Sequence, residues 1–595
     1  MQRRLAILIS LLAIVAGCGG EDAPPEAAAV APADLVLLNG RIATVDPALG
    51  TVEALAVNGY TITAVGTSEE MAAYVGPETR VVELDGRFVM PGFIEGHGHY
   101  MSLGRAKQIL DLNNVKNWDE VVSMVAVAVD KAQPGEWIEG RGWHQDKWDS
   151  VPEDAVDGVP RNDSLNEVSP DNPVVLGHAS GHAAFANDAA LAAGGVDDDT
   201  PDPPGGTIVR TPEGKATGLL RENADELVTD ALNEYLSRRT PEEVDRINRE
   251  RVLLAADEAL RHGVTSFHDA GSSFETIDFF KQLEEEGNLP IRLYVMVRRE
   301  SNERMDEMLP FYKMEAEGND FLTVRSIKRQ IDGALGAHGA WLLEPYVDLP
   351  SSTGLVLEPV DDIEGTARVA VKHGFQVNTH AIGDRANREV LDLYERIWDE
   401  MDVDGKPLRW RIEHAQHINP DDVPRFGELG VIAAMQGIHC TSDGPWIPSR
   451  LGEERTEETS YPWRDLIETG AIIGNGTDVP VEPIDAVASY YASVSRMMRT
   501  GEKFYPSQSM TREEALASYT LNNAIAAFEE DIKGTLTPGK YADFVVLSQD
   551  LLTVDEAKIP ETEVLMTFVG GELKYDAADV ASRQQRPAIR LAHEH

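Results

Sequence analysis

Between residues 93 and 478, short apolar runs alternate with longer stretches of helical periodicity. That alternation is the pattern of βα units around a parallel sheet. Eight runs predict strands, at 93–99, 264–269, 291–297, 325–332, 376–380, 410–414, 431–436 and 472–478. Eight such units predict an α/β chain folded as a (β/α)8 TIM barrel. The interval between the first and second runs is far too long for one helix. Residues from about 107 to 235 therefore predict a large insertion after strand one, with β-like runs of its own at 136–142 and 172–178.

Both flanks of the barrel (93–519) have a different rhythm, of short strands and turn residues. Asn39-Gly40 and Asn58-Gly59 each sit between apolar-rich runs and predict hairpins. Near the other end, 541–547 predicts a strand and Val569-Gly570-Gly571-Glu572 a turn. Residues 34–92 and 520–575 are thus expected to form one small β-sandwich domain from both chain ends, leaving 576–595 as a tail. The first residues have another pattern: Arg3-Arg4, then an apolar run from Leu5 to Val15 too short to span a bilayer as a mature helix. Val15-Ala16-Gly17-Cys18 resembles the lipobox of a bacterial lipoprotein signal. The resemblance implies removal of 1–17, a lipidated Cys18 anchoring the chain to a membrane, and a cell-envelope location facing the periplasm or the exterior. An ordinary secretory signal is the alternative. Residues 18–33, rich in Ala, Pro and Glu, read as a tether.

At 595 residues and 42% hydrophobic composition the chain can bury a sizeable core. The formal charge of -48 disfavours nucleic acid and anionic lipid as partners. Cys440 is the one cysteine besides Cys18, so with Cys18 acylated no internal disulfide is possible. A small-molecule substrate is the expected partner; a monomer and a dimer remain open.

Chemistry enters at the strand ends. His97 and His99 are spaced i, i+2, which on a strand puts both imidazoles on one face, where they can share a metal ion. His380 ends the fifth run, His414 the sixth and Asp478 the eighth, and Lys328 lies within the fourth. A barrel gathers its active site at this C-terminal face. With Lys328 pointing inward, Ser326, Gln330 and Asp332 follow it by period 2, and this polar row suits a site better than a packed barrel.

These residues sit in ordered motifs: PGFIEGHGH at 91–99, NPVVLGHASGHAAFAN at 172–187, IKRQIDGALGAHGA at 327–340, HAIGDRA at 380–386, RIEHAQ at 411–416, GTDVPVEP at 476–483 and GTLTPGKYADFVVLSQD at 534–550. Together they resemble the metal-dependent amidohydrolase superfamily, in its YtcJ-like branch that includes N-substituted formamide deformylases. The resemblance implies hydrolysis of a C–N bond in an amide, formamide or related compound. It implies one or two divalent ions, zinc or a similar metal. His97, His99 and Asp478 would hold one ion, His380 and His414 a second, and a carboxylated Lys328 would bridge them. Asp478 would take a proton from the attacking water and pass it to the leaving nitrogen. His182 is a further catalytic candidate by family pattern, with His178 beside it.

Two other readings stay open: a one-metal deaminase-type enzyme in which Lys328 is an ion-pair lysine facing Asp332 or Asp478, and a lipoprotein that binds solutes without catalysis. Weaker candidates are Trp143, His144 and Trp148 as pocket lining, Arg221 and Glu222 as pocket shapers, and Asp332, Asp384 and His268 as supports behind the ligands. Cys440 reads as a buried, hydrophobe-like thiol.

Overall fold

The protein, described here from a computed structural model, is traced over residues 30–580 except 146–147, 151, 153–154, 157, 179–182, 205 and 316–320. The expected signal peptide, Cys18, most of the tether, His182 and the last part of the tail lie outside the described residues. All eight sequence-predicted barrel strands form. They are Phe93–Gly98, Val264–Ser272, Arg292–Val297, Leu322–Gln330, Gln376–Ala381, Arg411–His414, Ile432–Gln436 and Ile473–Gly476, parallel and in sequential order in one sheet.

The sheet curls until its first and last strands meet. Asp478 N donates to His97 O at 2.8 Å, and Asn523 Nδ2 donates to both Ile94 O and Asn475 O at 2.7 Å. Gly96 permits this closure, because a Cβ there would lie 2.5 Å from Asn475 O. Outward strand residues such as Val295, Ile327, Val377 and Ile412 are buried beneath the helices. The helix Asp384–Glu400 shows how: Val390, Leu391, Tyr394, Ile397 and Trp398 recur at the 3–4 spacing of one face, and all are buried.

The insertion after the first strand carries its own six-stranded sheet, from Leu110–Asp111 to Ala216–Glu222, on separate hydrophobic cores. The chain ends build two more sheets around Leu37, Leu55, Phe544 and Phe568. One of them mixes N-terminal strands (Arg41–Ala43, Thr51–Val52, Phe88–Pro91) with C-terminal ones (Phe544–Leu547, Val564–Val569, Glu572–Asp576). Leu521–Ala526, in the stretch assigned by sequence to this region, is a helix whose Asn523 clasps the barrel. A buried ion pair, Arg292 Nε to Asp543 Oδ2 at 2.7 Å, ties the sandwich to the third barrel strand.

Two of the turn expectations give hairpins. Asn58 faces Thr61 around Gly59 (φ +57), and Val569 faces Glu572 around Gly570 and Gly571. Asn39-Gly40 does not. Leu35–Leu38 and Arg41–Ala43 flank it but belong to different sheets, so the turn passes the chain from one layer to the other. Gly40 is required for proximity, since a Cβ there would lie 2.2 Å from Leu84 Cδ1.

Candidate metal centre

The barrel mouth brings six of the sequence candidates together. His99 Nε2 lies 3.2 Å and His97 Nε2 3.7 Å from Asp478 Oδ1. Lys328 Nζ lies 3.3 Å from His97 Nε2. The His414 ring sits 4.6 Å from that of His97 and 4.4 Å from that of His380, centroid to centroid. His97, His414, His380, Lys328 and Asp478 are buried, and His99 is about a quarter exposed.

Three of the imidazoles have a polar group behind them. Glu413 Oε2 accepts from His97 Nδ1, so the Nε2 lone pair faces the pocket. Glu413 is itself held by Arg411, whose Nε lies 2.7 Å from Oε1 and whose Nη2 donates to Gly96 O at 2.8 Å. Gln436 Nε2 donates to Ala434 O, which turns Oε1 toward His414 Nδ1 at 2.8 Å and again leaves Nε2 for the pocket. Asp332 Oδ1 lies 3.5 Å from His380 Nε2, while its carboxylate accepts the backbone N–H groups of Trp341, Ile382 and Gly383.

Glu95, two residues before His97 on the same inward row, accepts from Thr477 N at 2.6 Å and Thr477 Oγ1 at 3.0 Å. That pins the turn from which Asp478 projects. Asp478 (φ +58) and His414 (φ +75) both occupy the left-handed region, where a residue with a Cβ is strained by about 1 kcal/mol or more. The Glu95 and Gln436 contacts hold these two positions.

Electrostatics suit metal ligation. Burial, reinforced by Lys328, keeps His97 well below the usual imidazole range. Burial with a neighbouring imidazole does the same for His380 and His414. All three are therefore neutral lone-pair donors. Burial alone would raise Asp478, but the His99 and His97 imidazoles outweigh it and hold the carboxyl well below its ordinary value. Burial pulls Lys328 down to about 8, with Glu413 opposing and Arg298 assisting.

The donor set fits a divalent cation. Metal–nitrogen distances near 2.0–2.1 Å imply separations of roughly 3.3 Å between ligands of a tetrahedral site. The gaps of 3.2 Å from His99 and 3.7 Å from His97 to Asp478 Oδ1 bracket that spacing. Asp478 Oδ1 is buried and has no hydrogen-bond partner among the described residues; the His99 and His97 imidazoles beside it complete a ligand set. His97, His99 and Asp478 form the tightest group among the described residues.

Other candidates fall elsewhere. Trp143 and Trp148 belong to the core of the insertion, and Trp143 Nε1 donates to Leu176 O at 2.8 Å, so both pack rather than line the site. His178 is buried between Trp143 and His144, with Nε2 3.2 Å from Gln145 Oε1. Arg221 and Glu222 end the strand Ala216–Glu222. Asp384 accepts from Leu343 N and Arg385 N and ties down a loop. His268 is buried inside the barrel with Nδ1 3.3 Å from Arg411 Nη1, behind the arginine that holds Glu413. Cys440 is fully buried and burial pushes its thiol up to about 11, in keeping with the hydrophobe-like thiol expected from the sequence.

Glu413, Arg411, Glu95 and Gln436 were not singled out in the sequence. Glu95 had a usable signal, its period-2 relation to His97. Glu413 had none, because alternation puts it opposite His414; the left-handed φ of His414 is what lets both face the site.

The model of the amidohydrolase family matches residues 80–575. The LONG AFTER FAR-RED 3 protein of Arabidopsis thaliana is 34% identical over 558 residues, 91% of this chain and 92% of that one. The N-substituted formamide deformylase of Arthrobacter pascens is 27% identical over 91% of this chain and 98% of its own length. Among solved structures, an uncharacterized metal-dependent hydrolase from Pyrococcus horikoshii superposes with a TM-score of 0.70 at 28% identity, covering 88% of this chain and 99% of that one.

Proposed function

This chain belongs to the amidohydrolase family, and from that membership we propose that it hydrolyses a C–N bond of a small amide or formamide at a two-metal site. The observation that carries the reading is the convergence of four imidazoles, one carboxylate and one lysine at the barrel mouth, with the Nε2 lone pairs of His97 and His414 turned inward. The deformylase relative supports the choice of bond. His97, His99 and Asp478 would hold one divalent ion, zinc or a similar metal, and His380 and His414 a second. A bound ion of this kind supplies a water that ionises near neutral pH and polarises the scissile carbonyl.

The remaining work belongs to the chain. Asp478, held as a carboxylate, receives the proton of the attacking water and delivers it to the departing nitrogen, which needs it because an amide anion is a poor leaving group. Lys328 would join the two halves after its free amine adds CO2 and loses one proton, replacing a cation that two metal ions would repel with an anionic bridge. Arg411 and Glu413 keep the His97 lone pair aimed at the pocket throughout. A one-ion site is the second reading, because among the described residues His97, His99 and Asp478 bring their ligand atoms within 4.8 Å of one another and His380 and His414 do not join that group.

The test is turnover of a panel of amides, formamides and carbamates by chelator-stripped protein resupplied with Zn, Mn or Co. Metal-restored hydrolysis is expected. A protein that binds the ions yet cleaves no member of the panel contradicts the reading.

A further inference from the structure

Arg298 follows the third barrel strand directly and stands on the same rim as the donor cluster. Its guanidinium is half-buried, and its side chain has a single hydrogen-bond acceptor among the described residues, the neutral Gln330 Oε1 at 2.8 Å. Gln330 is two residues beyond Lys328 on the inward row and is registered against His380 in the next strand. Arg298 is thereby held over the Lys328–His380 side of the site.

The arginines on the barrel strands themselves are paired: Arg292, Arg325, Arg329 and Arg411 each have a carboxylate within 4.0 Å. Arg298 has none within 4.0 Å among the described residues. The carboxylates that act on it from further away, Glu358, Asp269 and Asp478, are engaged elsewhere. Glu358 pairs with Arg329 at 2.8 Å, Asp269 accepts from Tyr100 N and Ser272 Oγ, and Asp478 faces the imidazoles. The position is also built for this side chain. Gly271 (φ +132) lies under its aliphatic stem, where a Cβ would come within 2.5 Å of Arg298 Cβ and Cδ. Half-burying a guanidinium without an anion is costly. In a chain of formal charge -48, an anionic substrate also needs a local cation to enter.

The geometry points to Arg298 as the clamp for a substrate carboxylate, so that the amides this site prefers carry an anion close to the scissile bond, as N-acyl amino acids do. This rests on the hydrolase reading above and narrows its substrate class. A guanidinium pairs with a carboxylate through two parallel N–H···O bonds, which would fix the amide relative to the ligand cluster as well as bind it.

The test compares matched pairs. N-formyl-leucine, beside its decarboxylated twin N-(3-methylbutyl)formamide, places the anion on the amine side; succinamate, beside its decarboxylated twin propanamide, places it on the acyl side. In at least one pair the wild type should favour the acid by kcat/KM. That ratio should fall about 10- to 100-fold in Arg298→Gln, mainly through KM, with Arg298→Lys in between. The pair that responds identifies the side. Wild-type ratios near one in both pairs, or ratios unchanged in Arg298→Gln, overturn the inference. If neither acid is cleaved, the hydrolase reading loses support and calorimetric titration of N-formyl-leucine into the metal-loaded protein decides this one separately. Binding at least tenfold tighter to the wild type than to Arg298→Gln upholds it, and equal or absent binding overturns it.

Discussion

His97 and His414 show Nε2 to the pocket because Glu413 and Gln436 occupy their other ring nitrogens. Removing that acceptor should cost metal affinity without touching a ligand. Gln436→Leu, similar in volume, is expected to weaken binding of the His414-held ion about 10- to 100-fold, read by competition with a chelating dye. Unchanged affinity would mean that the contact orients nothing. A second residue-scale expectation concerns Asp443, half-buried beside Tyr461, whose hydroxyl donates to Oδ2 at 3.1 Å. Burial raises this carboxyl to about 6, above its unfolded value of about 3.9. The stability it contributes is fully present below pH 4 and is lost as pH rises through 6. Asp443→Asn should therefore gain thermal stability over wild type at pH 8, with the gap shrinking at pH 5; a gap independent of pH would count against a buried charge there. At this scale the sequence revealed residues that repeat along one strand face, His97 with His99 and Lys328 with Asp332. Glu413 stayed hidden because it needs a left-handed neighbour, which no spacing rule announces.

The elements were the most legible level. Each barrel strand is a short apolar run whose outward residues meet amphipathic helices, so local pattern and tertiary burial agree. The turn at Asn39-Gly40 was misread because a left-handed turn does not say whether its two strands pair or part. Here the apolar residues on either side feed different sheets. The barrel was expected from the eight units, but its clasp was beyond local pattern, since Asn523 lies more than 40 residues past the last strand. Asn523→Ala strands the carbonyls of Ile94 and Asn475 between the first and eighth strands. It should cost about 2 kcal/mol or more, seen as a lower midpoint in chemical unfolding with the metal absent. A midpoint within error of wild type would show that the strand pair closes without the clasp.

Across the whole molecule, the fold gathers residues from 97 to 478 at one rim, and the sandwich assembled from both termini braces the barrel through the Arg292–Asp543 pair. The insertion and the rim loops supply what varies on such a scaffold, which is why chemistry was readable in the motifs and substrate choice was not. Arg298 illustrates this: as a letter it is one arginine among many, and its importance appears only when every nearby carboxylate is seen to be occupied. The account stands on the six-residue cluster being a bridged two-metal site. Metal per chain, determined by elemental analysis on purified wild type beside Lys328→Ala, tests that most directly. Two ions in the wild type and one or none in the variant, with hydrolysis lost, is the expected result. One ion in both proteins with full activity retained in Lys328→Ala would contradict it.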